Sequence, residues 1–481
     1  MERITKIGSI PPKASSQVKN SRLGLGFEKL DRALFEPDNA YDKVAELGVK
    51  WIRLQSGWAR TETQKGVYDF SWLDSIVDNL IRRGLKPWFC LCYGNGLYNE
   101  RAAEVFGCVG VPPIFSQEEK DAWIAYVKAT VRHFEGRIDW FEIWNEPDGI
   151  WCWKHGVSPE EYGDFARDTA KAIKETNPNV KVIGLSQCMR SLHWANGALS
   201  RGMCDYIDAI TFHEYTADES LVFERAKAMK SLVRAYNPNI LVIQGESGSQ
   251  SKYSEAGALN RADWTERKQA KQLLRHTVAD LISDVYFASY FSTLDMVEAL
   301  NGKADDLASY LDYAYFGVLG AEFDEKGVAT GEYFRKPSFY ALQNLASIFS
   351  EEIEVYDLPV IFHPTKSNPV LGEDCKDKTI LSGGFRRVGK DGKPAFAFAY
   401  WNSLDLMTTE FEGTVTLQLA APCGEYRPNL ADALKLIDPY DGSVYRLSKN
   451  FVDTTPAGTV TLRNLPLKDY PLILTVGEFV L

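Results

Sequence analysis

The sequence predicts an α/β chain: a (β/α)₈ barrel followed by a C-terminal antiparallel β-sandwich. Three observations predict it. Short, nearly continuous apolar runs recur near residues 24, 50, 88, 142, 183, 209, 243 and 289, separated by stretches of helical periodicity. Eight alternating units of this kind close a parallel barrel, and strands buried on both faces read as unbroken apolar runs. Polar residues gather at the C-terminal ends of those runs: Arg53, Asn95, Asn145, Glu146, His213, Tyr215, Glu246 and Asp295. After about residue 352 the texture changes to short alternating runs broken by turn signals, the pattern of a small sandwich. The expected domains are therefore 21–351 for the barrel and 352–481 for the sandwich, with residues 1–20 adding a strand to the latter.

Each barrel unit has local reasons. Residues 39–47 read as a helix stopped by Gly48, and 49–54 as a strand carrying Arg53 near its end. Ser71 is placed to cap a helix whose apolar positions are Leu73, Ile76, Val77, Leu80 and Ile81, ended by Gly84. Leu85–Cys92 is the next strand, closing in Tyr93-Gly94-Asn95. Ser116 opens a helix with Trp123, Val127, Val131 and Phe134 on one stripe. Ser158-Pro159 opens another, with proline in the first turn and Glu161 completing a capping box. The segments 177–186 and 237–246 echo each other (NPNVKVIGLS and NPNILVIQGE), each a turn feeding a buried strand. Residues 206–211 lead to His213-Glu214-Tyr215. Residues 284–294 form the last strand, and 338–349 a closing helix. In the tail, strands are expected at 379–382, 395–400, 414–419, 459–462 and 472–476, with a turn at Asp441-Gly442.

Composition narrows the function. The chain has 481 residues, 45% hydrophobic and 25% charged, with 65 acidic against 54 basic residues and a net charge of −11. That balance argues against a nucleic-acid or anionic-membrane partner. No run approaches the roughly 20 apolar residues of a membrane span. The first twenty residues lack a signal-like apolar core, and the eight cysteines are scattered without metal-type spacing. A reduced, cytoplasmic protein is expected, although a mature secreted form would read the same. Twelve tryptophans suit stacking on flat apolar faces such as those of sugar rings, and a neutral ligand fits the charge balance. The oligosaccharide or glycoside expected as partner follows from the carboxylate pair and the resemblance given below. No cofactor and no metal is expected, because histidines are few and unclustered. A monomer and a homo-oligomer are both compatible with the sequence.

The central stretch is Trp140–Asp148, WFEIWNEPD. A strand ending in Asn145-Glu146 and stopped by Pro147 presents the carboxylate on the barrel's rim. Trp140, Phe141, Trp144 and Trp151 surround it, and such a low-dielectric setting raises a carboxyl pKa and suits a general acid. Glu246 ends the seventh strand, 100 residues later, across the barrel mouth. Two carboxyls so placed are the equipment for cleaving a glycosidic bond, with Glu246 attacking and Glu146 shuttling the proton. Arg53 and Tyr215 would hold Glu246 ionised, and Asn145 would meet a sugar hydroxyl. Glu142, deeper on the same strand face, reads as half of a buried ion pair.

These motifs, with Arg53 on the second strand, His213-Glu214-Tyr215 on the sixth and KPSFYALQNL after the eighth, resemble the retaining clan A glycoside hydrolases, and most of all family 39, the β-xylosidase and α-L-iduronidase family. The resemblance covers about residues 20–350. It implies Glu146 as acid/base and Glu246 as nucleophile in a retaining, exo-acting hydrolase of a terminal pentose or hexose. It also implies substrate contacts from Arg53, Asn95, Asn145, Trp151, His213, Tyr215, Tyr290, Phe291 and Asp295. Two departures concern the terminal-sugar subsite. The seventh strand reads Gln244-Gly245-Glu246-Ser247-Gly248, and the eighth has Ser289-Tyr290-Phe291 where family members offer a tryptophan. An endo-acting relative, a non-catalytic saccharide-binding barrel and a metal-dependent barrel hydrolase are the alternatives.

Overall fold

In the computed structural model, the described residues are 4–103, 107–298, 312–363, 380–411, 413–448, 452–455 and 458–480. Strand β1 (Ile4–Ser9) precedes the barrel. The barrel strands are β2 (Leu23–Gly26), β3 (Trp51–Gln55), β4 (Lys86–Leu91), β5 (Trp140–Ile143), β6 (Lys181–Gln187), β7 (Ala209–His213), β8 (Leu241–Ser247) and β9 (Ala288–Tyr290). They close in sequence order, all parallel, with β9 returning to β2. All eight expected strands are present.

The helices up to the end of the barrel are α1 (Tyr41–Glu46), α2 (Trp58–Thr61), α3 (Ser71–Arg82), α4 (Gln117–His133), α5 (Pro159–Thr176), α6 (Leu192–Leu199), α7 (Glu219–Tyr236), α8 (Glu266–Ile282) and α9 (Pro337–Ile348). Ser116 caps α4 and Ser158 caps α5 through their hydroxyls, satisfying N–H groups that the first turn leaves unpaired. Three local expectations need correction. Helix α3 starts at Ser71 itself, and Asp69 accepts its N–H at 2.9 Å, so the carboxylate two residues earlier replaces the expected hydroxyl cap. Ile81 lies off the buried stripe and is 37% exposed. Glu161 does not complete a capping box, because its carboxylate turns to His155 at 2.8 Å instead.

Side chains alternate along each strand, so residues two apart share the barrel interior. At its base Trp51, Trp88, Trp140, Ile183, Ala209, Ile243 and Phe287 form one buried cluster, with Trp51 stacked on Phe287 at 4.2 Å between ring centroids. Two residues further up β3, β5 and β7 come Arg53, Glu142 and Thr211. The interior thus passes from aromatic plug to charge in a single pleat repeat.

Two antiparallel sheets follow the barrel. Seven strands run in the order Ile4–Ser9, Ser443–Leu447, Leu434–Asp438, Leu472–Val476, Pro394–Asn402, Ile380–Val388 and Glu354–Val355. Four more run Val360–His363, Gly413–Ala420, Thr459–Leu467 and Val452–Thr454. Phe362 of the smaller sheet meets Phe398 of the larger at 5.8 Å between centroids, and the Tyr400 hydroxyl donates to the Pro466 carbonyl at 3.0 Å. Thr379, expected to begin a strand, lies outside the described residues. β1 pairs with Ser443–Leu447, Ile4 opposite Leu447. Helix α8 is the seam with the barrel. Lys271 bonds Asp469 at 2.8 Å with both side chains fully buried, and Arg275 donates to the Leu404 carbonyl at 2.7 Å. Among the described residues, no helix is long and apolar enough to cross a membrane.

Candidate active site

The site lies at the C-terminal end of the barrel, in a cavity of about 740 Å³. Arg53 is its centre. The guanidinium is wholly buried and donates to four side chains: Nε to Glu142 Oε2 at 2.7 Å, Nη1 to Glu28 Oε1 at 3.1 Å and to Glu246 Oε1, and Nη2 to Asn145 Oδ1 at 2.9 Å. A planar fork of fixed donors can organise several carboxylates at once, which a lysine cannot. Glu142 also accepts from Ser186 Oγ at 3.0 Å and from Thr211 Oγ1. It is fully engaged, the buried ion pair expected of it.

Glu146 is positioned by a strained turn. Trp144 and Glu146 take positive φ, 65° and 44°, a backbone state that costs non-glycine residues on the order of 1–3 kcal/mol. Compensating bonds hold the turn: Glu146 N donates to Ser186 O at 3.0 Å, and Trp144 Nε1 donates to Cys152 O at 2.9 Å. The Glu146 carboxyl accepts from Trp151 Nε1, and its Oε1 lies 2.8 Å from His213 Nδ1. Burial pushes this carboxyl above its ordinary range, and the Glu246 charge adds to the rise. The His213 and Trp151 bonds only partly offset it.

Glu246 meets the opposite environment. Tyr215 Oη donates to its Oε2 at 2.8 Å, Arg53 to its Oε1, and His213 Nδ1 is 3.5 Å away. Burial alone would raise this carboxyl too. The His213 and Arg53 charges, with the Tyr215 and Arg53 hydrogen bonds, outweigh it and hold Glu246 below the usual range. His213 shows the reverse balance: burial opposes its proton, but Glu246 and Glu146 keep its pKa raised. One oxygen of Glu146, one of Glu246 and a His213 nitrogen all lie within 4.8 Å of one another. Gly245 permits this approach, since a Cβ there would sit 3.1 Å from the His213 ring.

Of the sequence-predicted residues, Glu146, Glu246, Asn145, Trp151, Tyr215 and Phe291 line the cavity, while Arg53 and His213 sit just behind its wall. Three others do not reach it. Asn95 is buried in its own turn, donating to the Glu62 carbonyl and accepting from Leu97 N, both at 2.9 Å. Tyr290 points its hydroxyl at the Ser249 carbonyl, 3.4 Å away. Asp295 accepts from Lys336 Nζ at 2.7 Å and from Gly317 N at 2.9 Å, a buried ion pair that fastens the last loop to α9. The neighbouring Trp153 is fully buried loop packing.

Sequence reasoning missed the loop after β9. It carries two short ribbons, Met296–Val297 with Tyr313–Ala314 and Leu319–Phe323 with Ala329–Arg335, and brings Glu298 and Phe316 to the cavity wall. It also missed Glu28, which follows the first barrel strand and reads in sequence as part of a polar loop.

A parallel barrel with two carboxyls converging at the ends of its fourth and seventh strands defines the paired-carboxylate class of barrel hydrolases. The model of glycosyl hydrolases family 39 matches residues 45–372, and the chain belongs to that family. Its relatives include a β-xylosidase of Geobacillus stearothermophilus, 28% identical over 166 residues, 32% of each chain. Another is a probable α-L-arabinofuranosidase C of Aspergillus fumigatus, 29% identical over 195 residues, 36% of this chain and 34% of that protein. The matched segment thus spans about a third of the length of these curated relatives. A family 39 glycoside hydrolase from Bacteroides cellulosilyticus WH2 shares the fold, with a TM-score of 0.61 at 17% identity over 97% of this chain and 83% of that one.

Proposed function

We propose that the protein hydrolyses glycosides with retention of anomeric configuration, releasing a terminal sugar of the pentose type. The observation that carries this reading is the carboxyl geometry. Retaining glycosidases hold their two carboxyl groups about 5–5.5 Å apart, whereas inverting ones leave about 6.5–9.5 Å for a water molecule. Here an oxygen of Glu146 and one of Glu246 come within 4.8 Å.

The charges support separate roles. Glu246, kept ionised by Arg53, His213 and Tyr215, attacks the anomeric carbon. Glu146, kept protonated by burial, delivers its proton to the departing oxygen as the glycosidic C–O bond breaks. Glu246 is then a neutral ester and Glu146 a carboxylate, which accepts a proton from the water that cleaves the ester. Asn145 has its side-chain carbonyl fixed by Arg53 and its amide against Cys152 Sγ at 3.5 Å, while Trp151 and Phe291 wall the ring. A cavity lined from the C-terminal ends of all eight barrel strands and the loops after them favours release of terminal units over cleavage within a chain. The names of the relatives point to xylosides and arabinofuranosides as the first glycosides to try.

A panel of aryl pentosides and hexosides, followed by proton NMR of the first-formed sugar, tests the proposal. Retention predicts that the initial product has the substrate's anomeric configuration. Initial accumulation of the opposite anomer would make the mechanism inverting.

A further inference from the structure

Glu28 is a third carboxyl in the site, with no part in the proton transfers just described. It is 2% exposed, lines the cavity, and accepts from Nη1 of Arg53 at 3.1 Å. That same Nη1 donates to Glu246 Oε1. Gly26, the last residue of β2, leaves room for the fold-back: a Cβ there would sit 3.1 Å from Glu28 Oε1. One guanidinium nitrogen therefore serves two carboxyls that reach it from opposite sides of the chain.

A charge count shows why both cannot be anions. The charged groups acting on Glu28 are Arg53 on β3, His213 on β7 and Glu246 on β8, Tyr215 just beyond β7 feels the Glu28 charge in turn, and the neighbouring Lys29 turns away to the Val297 carbonyl and Glu298. Glu142 already takes Nε of Arg53. If Glu142 and Glu246 are ionised, Arg53 and a protonated His213 balance them, and a further buried carboxylate has no partner. Resting on the retaining reading above, we propose that Glu28 is a positioning residue. It holds its proton while Glu246 is a free carboxylate, and its ionisation draws Nη1 of Arg53 away from the nucleophile and stops glycosylation.

The energetics agree. Burial, and then repulsion from Glu246, push the Glu28 carboxyl up to about 8, despite the pull of Arg53 and His213. Glu28 is therefore neutral at neutral pH and an anion above about pH 8.

The test uses a 2,4-dinitrophenyl glycoside of whichever sugar the enzyme cleaves. Its glycosidic C–O electron pair leaves with dinitrophenolate as Glu246 bonds the anomeric carbon, so no proton from Glu146 is needed and titration of Glu146 does not shape kcat/KM. In the parent enzyme kcat/KM is expected to fall as pH rises through about 8. In Glu28→Gln, which keeps an acceptor for Nη1 but cannot ionise, that alkaline limb is expected to move up by roughly one pH unit or more. A parent profile flat to pH 10, or a limb that Glu28→Gln leaves in place, would overturn the proposal, the latter assigning the limb to His213. Where Glu28→Gln fails to fold, a flat parent profile still overturns the proposal, and Glu28→Ala becomes the variant in which the parent's limb has to move. An enzyme active on dinitrophenyl glycosides with a flat profile sinks the Glu28 role alone. One inactive on every glycoside sinks the retaining reading, and the Glu28 role with it.

Discussion

The two ends of the barrel interior are built from the same strands and teach opposite lessons. At the base, Trp51, Trp88, Trp140 and Phe287 fill the space with rings and little hydrogen bonding, and the Trp88 indole nitrogen has no partner among the described residues. One pleat repeat higher, Arg53, Glu142 and Thr211 form a network in which nearly every polar atom is engaged. The base gains from area removed from water and ring packing, and tolerates an unpaired N–H at some cost. The upper layer gains little net stability from its ion pairs, because desolvation offsets their attraction. It gains orientation: both oxygens of Glu246 and of Glu146 have donors, and the two carboxyls are pushed in opposite directions, Glu146 up and Glu246 down.

That contrast predicts where substitutions act. The largest effect should come at the rim. Glu146→Gln is expected to lower kcat/KM by about 10²–10⁴-fold on glycosides with poor leaving groups, with glycosylation by dinitrophenyl glycosides largely spared and thermal unfolding little changed. Equal losses on both substrates would remove Glu146 from the proton-transfer role. At the base, Trp51→Ala is expected to cost about 3–5 kcal/mol in chemical denaturation and leave kcat/KM per folded molecule within a few-fold of the parent at low temperature. A large kcat defect in folded Trp51→Ala would mean that the plug positions the Arg53 layer as well as supporting it.

The sequence made the regular parts of this molecule legible, because they rest on local patterns. Eight apolar runs with helical spacers define the barrel, and Ser116 and Ser158 cap the helices their spacing marks. Ser71 misled because it is the first helical residue rather than the cap: Phe70 flanks the helix, and Asp69 satisfies the N–H of Ser71 itself. At the site, the strand-end rule found Arg53, Glu146, His213 and Glu246, since parity and a terminating turn fix where such side chains point. The same rule named Asn95 and Asp295, and the resemblance named Tyr290, but the fold turns all three away from the cavity. Their partners, the Glu62 and Ser249 carbonyls and Lys336, lie up to 41 residues away and leave no local trace. Glu28 was invisible for a related reason: only folding back over Gly26 brings it to Arg53. The loop after β9 contributes Glu298 and Phe316 without a periodic pattern to announce it.

The central claim is that Glu246 is the group that bonds the sugar. The most direct measurement is hydrolysis of the preferred dinitrophenyl glycoside by Glu246→Ala, with and without azide, the product's configuration being read by NMR. Covalent catalysis predicts a loss of about 10⁴-fold or more, partly restored by azide, with a glycosyl azide of configuration opposite to the substrate's. Near-parental activity in Glu246→Ala without azide, or a glycosyl azide of the substrate's own configuration, would contradict it.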